Sequence, residues 1–441
     1  MSRILISILF AFFVVSTAPL AAPHVAVETL AQDAIAASSA EPVPAPLPAS
    51  VFRSRRARLM KTIGPGVAVL YSKGSETPEG YRSSPDFFYL TGIDEEGAVL
   101  VLAPGERTFK EILYLRSVDP ELDRWTGVRG LIGDSLRTAL GFERIRRASS
   151  LEGSLVPMLA HSPVLHAIAA AQVSASKTPE AELYSKLQSS IPGLSVRNHQ
   201  GDIAAMRQVK DADELKLMEK AMANSISAMR VAAREIRSGI EENWIAGLID
   251  LEFKRGGSTR AGFPSIVGSG VNSCVLHYPQ HDRTIPKGSM VVVDIGAEYD
   301  HYSADLTRTF PADGRFTPEQ RRIYQLVLKV QDECIAMVKP GVVFEDIQRK
   351  AEDLFRAAGY RNNFLHGIGH WVGLQVHDVG DFARPLEPGM IVMIEPGLYF
   401  PEHDLGIRLE DELLVTRDGH RVLSGSLPRD PDAIERMMST P

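Results

Sequence analysis

Acidic residues close several apolar runs of this chain, at positions where strand propensity disfavours them. In Met290-Val-Val-Val-Asp294-Ile-Gly-Ala, three β-branched residues lead into Asp294. Asp305 follows eleven residues later, in Ala304-Asp-Leu-Thr-Arg-Thr-Phe310. The polar stretch Glu298-Tyr-Asp-His-Tyr302 between them suits a hairpin turn, and an antiparallel hairpin brings both carboxylates to one face. Ile391-Val-Met-Ile-Glu395 repeats the pattern, and Gly406-Ile-Arg-Leu-Glu410-Asp-Glu-Leu-Leu-Val415 repeats it from the other side. Period-two alternation there puts Arg408, Glu410 and Glu412 on one face, with Leu409 and Asp411 on the other. Taken singly, either Asp reads as a strand-end cap. Together, four carboxylates on core-like strands are costly to bury unless paired or metal-bound.

A histidine-rich loop adds a fifth candidate, in His366-Gly-Ile-Gly-His370-Trp-Val-Gly-Leu-Gln-Val-His377-Asp. Its i, i+4 histidine pair suggests a helical zinc site, but Gly367 and Gly369 weaken a helix and no Glu follows the first His. Beside the misplaced carboxylates, the loop reads instead as part of the same site. Charge sets the number of ions. One divalent cation leaves four carboxylates half compensated, whereas two balance them. An oxygen-rich set with one imidazole favours Mn²⁺, with Co²⁺ or Zn²⁺ as alternatives. Two such ions, about 3.5–4 Å apart, make a hydroxide available near neutral pH and stabilise the oxyanion it generates.

The elements that position these residues follow from periodicity and punctuation. The first 22 residues have the order of a signal peptide: Arg3, an apolar run from Ile4 to Val15, then small residues. They predict export to the periplasm or the medium, with no stable membrane insertion after cleavage. An Ala/Pro-rich linker occupies 23–50 and includes Glu41-Pro-Val-Pro-Ala-Pro-Leu-Pro48. A mixed α/β domain is expected over 51–200, with strands at Gly66–Tyr71, Gly97–Leu102 and Lys110–Arg116 and helices around 132–140, 151–160 and 179–190. The domain over 201–430 opens on a capping box, Asp211 with Glu214, ahead of the stripe Leu215, Met218, Met222, Ile226 and Met229. Thr317-Pro318-Glu319-Gln320 starts a second helical pair, and strands follow at 390–394 and 407–415. Helix, helix, strands, repeated once, predicts two similar halves with a site between them. Residues 431–441 are left as a tail.

Composition narrows the partners. The chain has 441 residues, 44% hydrophobic and 23% charged, enough to bury a large core without staples. Its net charge of −7, with both signs mixed, argues against nucleic acid as partner. Cys274 and Cys334, the only two cysteines, are compatible with one bond or two free thiols.

The order Asp294, Asp305, His370, Glu395, Glu410 within these motifs resembles the pita-bread metallopeptidases, a family that includes methionine aminopeptidase, prolidase and aminopeptidase P. Asn272-Ser-Cys-Val-Leu-His277-Tyr, the loop His366–Gly380 and Leu386-Glu-Pro-Gly-Met390 resemble aminopeptidase P in particular, as do Phe52-Arg-Ser-Arg-Arg56 and Ser84-Pro-Asp-Phe-Phe-Tyr-Leu-Thr-Gly92. The resemblance implies an α+β chain: a C-terminal pita-bread domain of two pseudo-symmetric halves, preceded by a smaller mixed α/β N-terminal domain. It implies that Asp294 binds one metal, that Asp305 and Glu410 bridge the pair, and that His370 and Glu395 complete the other. By the same resemblance Glu395 takes a proton from the attacking water, His277 and His377 are catalytic, substrate-side histidines, and His366 is a further catalytic histidine, either at the substrate or supporting those that touch it. Arg408 orients a ligand carboxylate, and Trp125 reaches substrate, in the family from a neighbouring subunit. The implied activity is removal of a residue ahead of proline in peptide substrates, by a homodimer or homotetramer. A prolidase with the same ligands is the nearest alternative; a non-catalytic peptide-binding module is the other, and intact ligand positions weigh against it.

Overall fold

The computed structural model describes residues 47–78, 80–117, 121, 124, 132–168 and 178–439, all within one unit spanning 44–441. The expected signal peptide, most of the linker and Trp125 lie outside the described residues. Among the described residues, no helix is long and apolar enough to cross a membrane.

The basic N-terminal segment forms helix Ala49–Ile63, which buries Phe52, Leu59 and Ile63 on one side. Arg55 and Arg56 are buried with them, and each finds a carboxylate: Glu214 at 3.3 Å for Arg55, Glu111 at 2.7 Å for Arg56. The first domain is built on a six-stranded mixed sheet, in the order Arg144–Arg147, Glu111–Leu115, Val99–Leu102, Val67–Tyr71, Val164–Ala167, Ser195–Asn198. The three strands expected from apolar runs are its central part, because runs buried on both faces carry the strongest signal. At the boundary near residue 200 lies a helix that the sequence reading omits, Gln200–Gln208. It starts after an uncapped His199 and carries Gly201, so it lacks the usual start signals.

The second domain has the expected repeat. Both capping boxes are formed, Asp211 with Glu214 and Thr317 with Gln320. The first half pairs helices Ala212–Glu235 and Glu242–Arg255 with the sheet Ile266–Ser269, Met290–Ile295, Leu306–Pro311; the second pairs Pro318–Ile335 and Phe344–Ala357 with Ile391–Ile394, Asp411–Val415, His420–Val422. The apolar faces of both halves merge in one core. Two expectations change. The strand anticipated over 407–415 is two strands, Leu405–Arg408 and Asp411–Val415. Between them Leu409 N–H donates to Pro396 O and Glu410 N–H to Thr307 O, at 3.2 and 3.1 Å, so the chain crosses from one sheet to the other. The anticipated tail is helix Pro431–Ser439, held by Ile434, which is fully buried in that core. Cys274 and Cys334 are both free thiols.

The domains meet through buried charge. Arg207 donates to Asp86 of the first domain at 2.7 Å and also to Asp378, beside His377. Deeper in the second domain, Arg308 fastens the crossing. Its guanidinium donates to Asp411 at 2.8 Å and to the carbonyls of Glu410 and Thr307 at 2.7 and 2.9 Å. Replacing it by Met leaves Asp411 short of a cation and removes the donor to these two carbonyls and to those of Pro428 and Leu427. Arg308→Met is therefore expected to lose about 3–5 kcal/mol of stability, read as a lowered denaturant midpoint; an unchanged midpoint contradicts this account of the crossing.

Candidate metal centre

The hairpin expected between Asp294 and Asp305 is present. Met290–Ile295 pairs antiparallel with Leu306–Pro311, with Asp294 opposite Thr307, and Asp305 lies two residues from Thr307 on the same face. The loop that carries His370 is not helical; it runs along strand Ile391–Ile394 instead. Glu395 N–H donates to Ile368 O at 2.8 Å and Met393 N–H to His370 O at 2.9 Å, which sets His370 beside Glu395. Gly369 is required for this approach, since a Cβ there would stand 1.9 Å from Met393 O.

These elements converge on a cavity of about 580 Å³ that Asp294, Asp305, His370, Glu395 and Glu410 all line, together with His277, His366, His377 and Arg408. Asp305, His370 and Glu410 come closest, with one donor atom from each within 4.8 Å of the others. His370 Nε2 lies 3.5 Å from Asp305, 3.7 Å from Glu395 and 3.9 Å from Glu410. Asp294 stands apart from this inner group. Its Oδ2 accepts from Arg408 at 2.7 Å, while its Oδ1 is buried without a partner.

The donor set fits a cation on its own geometry. His370 Nδ1 faces Trp371 O at 3.0 Å, and a carbonyl only accepts, so Nδ1 carries a ring proton. That leaves Nε2 as the ligating atom, among three carboxylates that repel one another unless a cation or protons lie between them. Asp305 Oδ1 is also buried and unpartnered. Desolvation, followed by the charges of Glu410 and Asp294, pushes Asp305 well above the usual carboxylate range. Glu395, its side chain 19% exposed to the cavity, is pushed well up by desolvation and then by Glu410. Glu410 is raised to about 7 by desolvation and then by Asp294, although Thr307 Oγ1 donates to it at 2.7 Å. The residues fit divalent cations.

His277 and His377 stand exposed at the cavity rim with ring centroids 6.1 Å apart. Desolvation, then the imidazoles of His370 and His277, pushes His377 below its ordinary value. His366 is held at both ring nitrogens. Its Nδ1 lies 2.8 Å from Gly367 O and its Nε2 2.8 Å from the Tyr399 hydroxyl. The carbonyl forces the proton onto Nδ1, so Nε2 accepts from Tyr399, which accepts in turn from Arg408 at 2.9 Å. Desolvation and then Arg408 lower His366 to about 4, so the ring is neutral. With both nitrogens engaged, His366 lines the cavity as a supporting histidine that holds Tyr399 and, through it, Arg408.

The sequence reading missed Tyr399, which links His366 to Arg408, and Thr307, which steers Glu410. Tyr399 sits four residues after Glu395 on the returning strand Gly397–Phe400, where it reads as core. Glu412, placed on the Glu410 face, is buried, accepts from Asp305 N–H at 3.3 Å and is raised by desolvation to about 8.

Comparison with known proteins agrees with this geometry. Residues 216–417 match the model of metallopeptidase family M24, and residues 52–166 match the aminopeptidase P N-terminal domain. The Xaa-Pro aminopeptidase of Haemophilus influenzae is 32% identical, covering 90% of this chain and 98% of its own. That of Escherichia coli is 32% identical, with 88% and 97% covered. The structure of Pseudomonas aeruginosa aminopeptidase PepP matches with a TM-score of 0.81 at 29% identity, covering 89% of this chain and 98% of that one.

Protons held by crowded carboxylates must leave when a cation enters. Because Glu410 is raised to about 7 and Glu412 to about 8, Mn²⁺ binding to the chelator-treated protein should release protons at pH 7, and fewer as pH rises past 8. Titration calorimetry in buffers of different ionisation enthalpy measures the number; proton-neutral binding at pH 7 would contradict the crowding. By domain content, whole-length similarity and fold, the chain belongs to metallopeptidase family M24, in its aminopeptidase P branch.

Proposed function

We propose that this chain is an Xaa-Pro aminopeptidase, which hydrolyses the bond between the first residue of a peptide and a following proline. The observation that carries this is similarity to Xaa-Pro aminopeptidases along nearly the whole length, N-terminal domain included, joined to a cleft where Asp305, His370 and Glu410 converge. In the finer reading two divalent ions would be held by Asp294, Asp305, His370, Glu395 and Glu410, with Asp305 and Glu410 shared between them. The oxygen-rich donor set supports Mn²⁺ over Co²⁺ or Zn²⁺. When bound, the ions balance the carboxylates and supply an activated hydroxide near neutral pH.

The remaining roles fall to the protein. Glu395 lines the cavity and is partly open to it, which places its carboxylate to take the proton of the attacking water. An Xaa-Pro bond has no amide N–H, so recognition of its polar atoms must fall on the carbonyl oxygen and the ring nitrogen. His277 and His377, at the rim, are placed to donate to that group as it becomes tetrahedral. Arg408 fixes one oxygen of Asp294 and leaves the other for a cation. Export to the periplasm or medium belongs to the proposal through the charged, apolar and small-residue order of the first 22 residues. Assembly as a dimer or tetramer, with Trp125 reaching a neighbouring site, rests on the family resemblance.

Two outcomes test this reading. Asp305→Ala and Glu410→Ala should each lose bound Mn²⁺, measured by equilibrium dialysis, and peptidase turnover; retained turnover in either sinks the ligand assignment. An Xaa-Pro-Yaa tripeptide should be cleaved well, and faster than an Xaa-Pro dipeptide. Cleavage of the dipeptide alone would make the chain a prolidase.

A further inference from the structure

The segment joining Asp294 to Asp305 is a hairpin whose tip leaves the second domain and docks on the first. Ala297–Tyr299 pairs with Tyr302–Ser303, and Asp300 and His301 form the two-residue turn with φ of 45° and 72°. Such a turn favours Gly or Asn, because both central residues adopt the left-handed region. A histidine at its second position has a local cost, so its side chain is the feature to account for.

That side chain is gripped by the N-terminal domain. The His301 ring stacks on Phe88 with centroids 3.5 Å apart and planes 18° from parallel, and its Nε2 lies 2.9 Å from Asp94 Oδ2. Asp94 is itself fixed, accepting from Ser83 N–H at 2.8 Å. Arg82 donates to Glu298, in the first strand of the hairpin, at 2.5 Å, and reaches His301 O at 3.4 Å. In the returning strand, Tyr302 is buried in an apolar cluster that includes Phe87 and Phe88. Both strands of the hairpin and its tip are therefore held by the N-terminal domain as well as by the catalytic domain, where Arg260 also pairs with Glu298 at 3.1 Å.

We propose that Phe88, Asp94 and Arg82 are positioning residues for the metal centre: by clamping the hairpin tip through His301 and Glu298, the N-terminal domain sets the spacing of Asp294 and Asp305. This rests on reading those two carboxylates as metal ligands. One residue separates Asp305 from the short strand Tyr302–Ser303 and two separate Asp294 from Ala297–Tyr299, so movement of the tip is passed to both. Side chains that orient metal ligands typically alter affinity about 10–100-fold when removed.

His301→Gly separates this role from a merely structural one, because glycine suits the turn while removing the grip. Mn²⁺ binding to the full chain, followed by titration calorimetry and by the electron paramagnetic resonance spectrum of the bound ion, is the readout. His301→Gly and Phe88→Ala should each bind Mn²⁺ about 10-fold more weakly with an altered spectrum, and Phe88→Tyr, which keeps the stack, should bind like wild type. Wild-type affinity and spectrum in folded His301→Gly and Phe88→Ala would overturn the proposal. Should Phe88→Ala fail to fold, His301→Gly alone decides. Wild-type protein that binds no divalent ion would instead overturn the metal reading beneath it.

Discussion

Mutual repulsion among carboxylates in a water-poor cleft is the constraint on which the second domain depends. Asp305 and Glu410 are almost wholly buried, Asp294 nearly so, and Glu395 opens only onto the cavity. In such surroundings each negative charge is costly, and neighbours of like sign raise the cost. Among the described residues, this group has a single guanidinium contact, from Arg408 to Asp294. Thr307 donates to Glu410 without adding charge. Compensation must come from protons or from cations, and His370 Nε2, aimed into the group, adds a donor that a divalent cation can use.

The architecture can be understood as a means of holding that unfavourable group together. Two antiparallel sheets, one from each half, contribute the acids from their facing strands, and the 409–410 crossing passes the chain between them. Arg308 and Asp411 fasten the crossing on the side away from the cavity, a fully buried pair whose energetic role is to hold the backbone of Glu410. On the cavity side, the run from Arg408 through Tyr399 and His366 to Gly367 O ties strand, returning strand and loop in one hydrogen-bonded chain. Strong forces behind the site leave the acids few ways to relax apart.

The legible part of the site was the part that broke local rules. Asp294, Asp305, Glu395 and Glu410 stood out because acids at the ends of apolar strands contradict propensity, and all four line one cavity. Capping boxes placed both long helices because they are local patterns of side chain and backbone. What stayed hidden depended on pairing between distant segments. Tyr399 reads as an ordinary core tyrosine until its hydroxyl is seen between His366 and Arg408. The break at 409–410 was masked because alternation alone does not show which sheet a residue joins. The supporting role of His366, which lines the cavity with His277 and His377, shows only in its two hydrogen bonds. Residues 431–439 looked like a tail since their single strong anchor, Ile434, is meaningful only against a core already built.

The central claim, that these five side chains enclose a pair of divalent ions, is tested most directly by anomalous diffraction from crystals equilibrated with Mn²⁺. The account predicts two peaks about 3.5–4 Å apart, bounded by Asp294, Asp305, His370, Glu395 and Glu410, with Asp305 and Glu410 touching both. A single peak, or a pair that leaves Asp294 or Glu395 without a bond to metal, would contradict it.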